Sequence, residues 1–138
     1  MITVDHLYGL TFSPPHGSSY VVPRTDWNFG KIYCSQVSSE ILLQRFPHLQ
    51  NYVHPLKLFT EYSIRKRKVV LIPANHCPGA VMFLISGEGF TVLHTGDFRY
   101  RPVMGEQIKE WLGKLKAQKI DRVYMDNTFA TTAESFPP

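Results

Sequence analysis

The sequence predicts an α/β fold organised on a mixed sheet, and three observations carry that expectation. Residues 69–74, 80–86 and 90–94 are runs of apolar and β-branched residues separated by short polar or glycine-rich breaks, the pattern of buried strands. Residues 106–118 place Ile108, Trp111, Leu112 and Leu115 at i, i+3, i+4 and i+7, with Lys and Glu on the other face, the pattern of a helix packed on one side. The order strand, helix, strands, helix, strand includes no glycine-rich phosphate loop of either nucleotide-binding type. Half of an α/β sandwich is therefore expected rather than a doubly wound unit.

The 138 residues amount to about one domain, and 43% hydrophobic residues suffice for an ordinary core. No apolar run approaches the length that spans a bilayer, and the N-terminus has neither a basic region nor a long apolar one. No membrane partner and no secretion are expected. Fifteen Lys and Arg against eleven Asp and Glu give a formal charge of +4, which permits a polyanionic partner without requiring one. Cys34 and Cys77 are expected as thiols, because a lone disulfide is out of place in a reducing compartment.

Residues 1–10, MITVDHLYGL, read as a strand running into a loop, with Asp5 and His6 at its end. About four residues precede that pair, fewer than a usual strand holds, so a truncated domain is expected. Residues 11–30, rich in Pro, Gly, Ser, Asp and Asn, break both periodicities and read as a loop. A short strand over 31–34 leads to a packed helix starting at Ser35, with Val37, Ile41, Leu42 and Phe46 at helical spacing and Pro47 closing it. Residues 49–59 show no clean period. The run Arg65-Lys66-Arg67-Lys68 then reads either as a solvated hairpin turn or as a nucleic-acid contact. Gly87-Glu88-Gly89 has hairpin chemistry, because Gly accepts the positive φ of tight turns. A final strand over 120–125 ends in Asp126-Asn127-Thr128.

Two polar interruptions matter most: Asn75-His76-Cys77-Pro78-Gly79 and Thr95-Gly96-Asp97 each follow a buried strand, where a sheet presents side chains to a ligand. Asp5, His6, His76 and Asp97 together supply two imidazoles and two carboxylates, a set suited to Zn²⁺, with Mg²⁺ or Mn²⁺ also accommodated. An ion with one open position activates water for hydrolysis at neutral pH. Spacing alone equally allows the bland reading, in which these residues cap turns and helices. Cys77 lacks a second Cys or His at finger-like spacing, so a small buried thiol is expected. His16, His48, His54 and His94 are given structural roles. Asp126 is either a turn cap or an acid that orients a ligand or the attacking water.

The strings ANHCPGAVMFL, VLHTGDFRY and VYMDNTF, with IYCSQV at 32–37, resemble the metallo-β-lactamase-fold DNA nucleases of the Artemis and Apollo type, the β-CASP group that acts on DNA. The text around GDFRYRPVM and MDNT is nearest to the Apollo branch. The resemblance implies a partial αββα sandwich over residues 1–138, with the β-CASP region beginning near 126–138. By position, His76 matches a metal ligand, Asp97 a bridging aspartate, and Asp5 and His6 the last two residues of an H-x-H-x-D-H signature whose first two histidines fall on Met1 and Thr3. Asp126 matches the first acidic β-CASP motif, which makes Asp97 and Asp126 the implied catalytic acids. Arg99 either holds its loop or approaches a phosphate.

The implied function is a zinc-dependent 5′-to-3′ DNA exonuclease, with one or two ions, acting on single strands or 5′ ends. It would serve interstrand crosslink repair, end processing or telomere maintenance in the nucleus, with repair or telomere proteins as partners. Two alternatives stand beside it. One is a non-catalytic fragment that keeps a DNA- or protein-binding surface; the other is a hydrolase of small esters or thioesters on the same fold.

Overall fold

A computed structural model describes residues 30–127. Its centre is a five-stranded sheet in the order β3-β4-β5-β6-β7, formed by Tyr62–Ile64, Arg67–Pro73, Val81–Gly87, Phe90–His94 and Arg122–Tyr124. The first four strands are an antiparallel meander, and β7 pairs parallel to β6. Parallel neighbours need a crossover, which here is the helix α2, Pro102–Lys114. A second parallel pair, β1 (Ile32–Ser35) and β2 (Val53–Leu56), is joined through the helix α1, Gln36–Arg45. The mixed α/β expectation is met.

The central strands bury both faces, which is why their sequences run apolar instead of alternating. Val70, Ile72, Met82, Leu84 and Leu93 pack with Met104, Trp111 and Leu115, so α2 covers one face. On the other face Val69, Leu71, Val81, Phe83 and Ile85 pack with Leu56 of β2, and Tyr33 of β1 is packed against them. Ile32, Cys34, Leu42, Leu49 and Val53 make a separate small core under α1. Among the described residues, no helix is long and apolar enough to cross a membrane.

Two of the three connections in the meander are two-residue turns with left-handed backbone. Arg65 and Lys66 have φ of 47° and 62°, and Glu88 and Gly89 have φ of 54° and 73°. Such turns match the twist of the strands that they join. Arg65-Lys66 thus fits the hairpin reading of the charge run.

Several expectations need correction. The helix after Ser35 does form, with the Ser35 hydroxyl accepting from the Ser38 amide as its N-cap, yet it buries Ser38, Ser39 and Leu42, and leaves Val37 and Ile41 exposed. Small hydroxyl residues face inward because a loop of the large sheet passes close to them. The aperiodic stretch 49–59 contains β2, whose Pro55 is tolerated because β2 is an edge strand of a two-stranded sheet. The second helix begins at Pro102, four residues earlier than expected, and ends at Lys114; the left-handed Lys116, φ 55°, stops it before Gln118. Proline at N1 loses no hydrogen bond there, so it opens the helix instead of breaking it.

Candidate metal centre at one end of the sheet

Strand direction gathers the candidate residues. The end of β4, the start of β5 and the ends of β6 and β7 share one edge of the sheet, as the pairs Pro73↔Val81, Phe83↔His94 and His94↔Tyr124 require. His76, Asp97 and Asp126 therefore leave the sheet on the same side. The His76 Nε2 and Asp97 Oδ2 atoms lie 4.0 Å apart, with 34% and 32% of their side-chain surfaces exposed.

Backbone bonds tie these loops together. The Arg99 amide donates to the Ala74 carbonyl at 2.9 Å, and the Asn75 side-chain amide donates to the Arg99 carbonyl at 3.2 Å. Asn75 adopts φ 55°, a conformation that Asn tolerates better than most residues, so the chain turns sharply just before His76. The Thr95 amide donates to the Tyr124 carbonyl at 2.9 Å, which links the Asp97 loop to β7. Arg99 thus holds the loops through its main chain.

Below Asp97 sits His94, buried and stacked on Tyr124 with ring centroids 5.7 Å apart. The Gly96 amide donates to its Nδ1 at 3.2 Å, and burial holds the imidazole below its ordinary pKa. Gly96 has φ 54°, so the turn before Asp97 is a left-handed one braced by a neutral ring. Cys77 is a partly buried thiol pushed above its ordinary pKa by desolvation first and by the Asp97 charge second. That influence places Cys77 within electrostatic reach of Asp97. Cys34 is a free, buried thiol pushed up to about 12 by burial, so both cysteines are thiols as expected.

The structure brings together His76 and Asp97 and puts Asp126 at the same sheet end. Asp5 and His6 lie outside the described residues. Among the described residues, no group of three or more His, Cys, Asp and Glu side chains is assembled for an ion. The run Arg65-Lys66-Arg67-Lys68 sits at the opposite end of the sheet, a seven-residue strand away, roughly 20 Å at the usual rise. Two of its members make ion pairs: Arg67 with Glu88 at 3.1 Å and Lys68 with Glu61 at 3.3 Å.

No protein-family model matches the chain. Over 107 residues, 77% of its length, the chain is 40% identical to the DNA cross-link repair 1A protein of Homo sapiens, covering 10% of that protein. Over 98 residues, 70% of the chain, it is 39% identical to the 5′ exonuclease Apollo of Gallus gallus, covering 20% of it. The chain belongs to the Artemis and Apollo type family. A third family member, the DNA cross-link repair protein pso2/snm1 of Schizosaccharomyces pombe, is 33% identical over 98% of the chain and is covered to 24%. The chain thus spans about a tenth to a quarter of the length of these curated relatives. A solved protein of unknown function from Enterococcus faecalis V583 shares the fold with TM-score 0.53 at 16% identity, over 78% of this chain and 28% of its own.

Three residues shape this candidate site in ways that the sequence reading reached only in part. Ser35 and Ser38 direct their hydroxyls to the Gly79 carbonyl at 2.8 and 3.1 Å, which pins the His76 loop to the start of α1. The only local signal was a Ser at a helix start, which marks a cap but not a distant partner. His94 was read as structural, but its bracing of the Asp97 turn depends on a register that only the folded sheet supplies.

Proposed function

We propose that this chain forms part of a metal-dependent DNA nuclease that removes nucleotides in the 5′-to-3′ direction. The observation that carries the reading is the facing His76 and Asp97 pair, at one sheet end with Asp126, in a chain 39% identical over 98 residues to a protein named as a 5′ exonuclease. The fold would be half of an αββα metallo-β-lactamase sandwich, with the β-CASP region beginning near 126–138. DNA single strands or 5′ ends are the proposed substrate, and the nucleus the setting, with repair or telomere proteins as partners.

The donor chemistry fits zinc, for which imidazole nitrogen and carboxylate oxygen are ordinary ligands. At 4.0 Å the two atoms are too far apart to be hydrogen-bonded to each other, and both side chains are open to solvent. Asp5 and His6 would complete the set, with magnesium or manganese as the other choices. When bound, such an ion polarises a phosphodiester oxygen and makes water nucleophilic at neutral pH. His76 offers Nε2, Asp97 offers Oδ2, and the left-handed turns at Asn75 and Gly96 fix the direction of each. Asp126, two residues past the end of β7, would orient or deprotonate the attacking water in this reading.

Metal content by mass spectrometry on the chain and on Asp97→Ala, alongside hydrolysis of 5′-phosphorylated single-stranded DNA, tests this reading. Stoichiometric zinc lost in the variant together with cleavage is expected. A folded chain with neither metal nor cleavage sinks it and leaves the binding reading. Cleavage of thioesters but not DNA would instead favour the small-ester hydrolase.

A further inference from the structure

An aromatic stack lies between the strand ends that lead to Asp97 and Asp126. In register across the sheet, His94 of β6 stands between Phe83 of β5 and Tyr124 of β7. Leu93 packs on the α2 side, so His94 and Tyr124 share the opposite face. The hydrophobic cluster on that face draws on β2, β3, β4 and β5 and includes no residue of β6 or β7. His94 is nonetheless 4% exposed, because Tyr124, 41% exposed, lies stacked on it with ring centroids 5.7 Å apart and planes 19° from parallel. The phenol ring takes the water-facing place and the imidazole the sheltered one.

Both ends of the stack are tied. The Tyr124 hydroxyl accepts from the Arg122 guanidinium at 3.2 Å, and that guanidinium lies 5.9 Å from the ring centre of Phe90 on the same face. The His94 Nδ1 accepts from the Gly96 amide, one residue before Asp97. Gly96 is left-handed, so the direction in which Asp97 leaves the turn depends on what holds that amide. The Thr95 to Tyr124 backbone bond fixes the base of the loop but not the plane of the imidazole. A ring lying nearly parallel to the imidazole does fix that plane, and keeps Nδ1 aimed at the amide. We propose that Tyr124 is a positioning residue for Asp97: stacked on His94, it holds the imidazole that fixes the Gly96 turn, and so sets where the Asp97 carboxylate stands for a metal ion. The consequence for the ion rests on the metal-centre reading; the hold on the turn does not.

The test compares two variants of the whole chain. Tyr124→Leu removes the ring and leaves the backbone bond, while Tyr124→Phe keeps the ring and loses the hydroxyl. Val123→Ala, on the same strand but the other face and 50% exposed, is the control. Zinc affinity is read by competition with a chelator. Hydrogen exchange of the Gly96 amide is read in EDTA against that of Leu84 in the central strand β5, which reports global opening. Tyr124→Leu is expected to weaken zinc binding about tenfold, as loss of a group behind a metal ligand does, and to speed Gly96 exchange about tenfold relative to Leu84. Tyr124→Phe and Val123→Ala should each stay within about threefold of the unaltered chain in both readouts.

Equal acceleration of Gly96 and Leu84 would mean that the ring only stabilises the sheet, and overturns the proposal. An unchanged Gly96 rate in Tyr124→Leu overturns it too, as does a zinc affinity that stays put while Gly96 exchanges faster. Losses as large in Tyr124→Phe as in Tyr124→Leu would overturn the stack in favour of the hydroxyl's tie to Arg122. Should Tyr124→Leu fail to fold, magnetic resonance on the unaltered chain decides. Proximity signals between the Tyr124 and His94 rings, with Nδ1 the unprotonated nitrogen, are expected, and their absence overturns the proposal. A chain that takes up no zinc fails the nuclease reading, and the exchange arm still upholds or overturns the hold of Tyr124 on the turn.

Discussion

The Ser35 hydroxyl lies 2.8 Å from the Gly79 carbonyl, 44 residues along the chain, and the Ser38 hydroxyl reaches the same oxygen at 3.1 Å. Gly79 has φ +87°, and a Cβ there would meet Ser38 Oγ at 2.7 Å and the Ser38 backbone nitrogen at 3.1 Å. Gly89 is also left-handed, φ +73°, but has nothing within 4 Å of an added Cβ. Gly89→Ala should therefore cost only the conformational term, about 1–2 kcal/mol. Gly79→Ala adds overpacking, for a total of about 2–5 kcal/mol. Urea titrations of both variants check this, and equal midpoints would show that the serines do not clamp the loop.

What the sequence disclosed follows from the range of the forces involved. The three central strands and the α2 face were legible because Val70, Ile72, Met82, Leu84 and Trp111 are buried by local patterns that repeat at the period of their own element. The inward face of α1 was not. Ser38 is buried because Gly79 approaches it from 41 residues away, a contact that no local period encodes. β2 escaped notice because His54 and Pro55 interrupt its apolar run, which an edge strand allows. Of the site, His76 and Asp97 were readable as polar residues at strand ends. The pairing of their loops through Arg99 and Ala74 was not, since main-chain bonds leave no mark on residue type.

Asp97 also acts on its neighbour Cys77, and this gives a probe of the site that needs no metal. Burial and then the Asp97 charge push the Cys77 thiol up. In EDTA, Asp97→Asn should lower the pH at which Cys77 becomes a thiolate and speed its alkylation, since the thiolate is the nucleophile. Cys34, pushed up to about 12 by burial alone, should stay inert to iodoacetamide near neutral pH in both proteins until unfolding exposes it. Mass-mapped alkylation rates decide. An unchanged Cys77 rate in Asp97→Asn would mean that the two loops are not held together as described.

Trp111 is the largest side chain that α2 inserts against the sheet, 8% exposed, with the Lys114 ammonium 4.5 Å from its ring centre. Trp111→Ala should destabilise the fold by about 3–5 kcal/mol, the usual cost of emptying an aromatic core position. Val103, 51% exposed on the same helix, is the control, and Val103→Ala should stay within about 0.5 kcal/mol. Thermal melts of the pair separate packing from helix propensity.

His94 makes stability depend on pH, and the sign follows from its surroundings. Burial lowers its pKa beneath the ordinary 6.5, and Nδ1 must stay unprotonated to accept from Gly96. The unfolded chain therefore binds this proton more readily than the folded one, so the His94 contribution is fully present above about 6.5 and is lost as pH falls through the folded pKa. His94→Gln keeps an acceptor but cannot take up a proton. It should lower stability at pH 7.5 through lost stacking on Tyr124, while making the decline from pH 7 to 5 shallower than in the unaltered chain. Denaturation midpoints across that range check it. Parallel curves for the two proteins would mean that His94 is not the group that titrates, and that the turn before Asp97 is braced by the Thr95 to Tyr124 backbone bond without the imidazole's help.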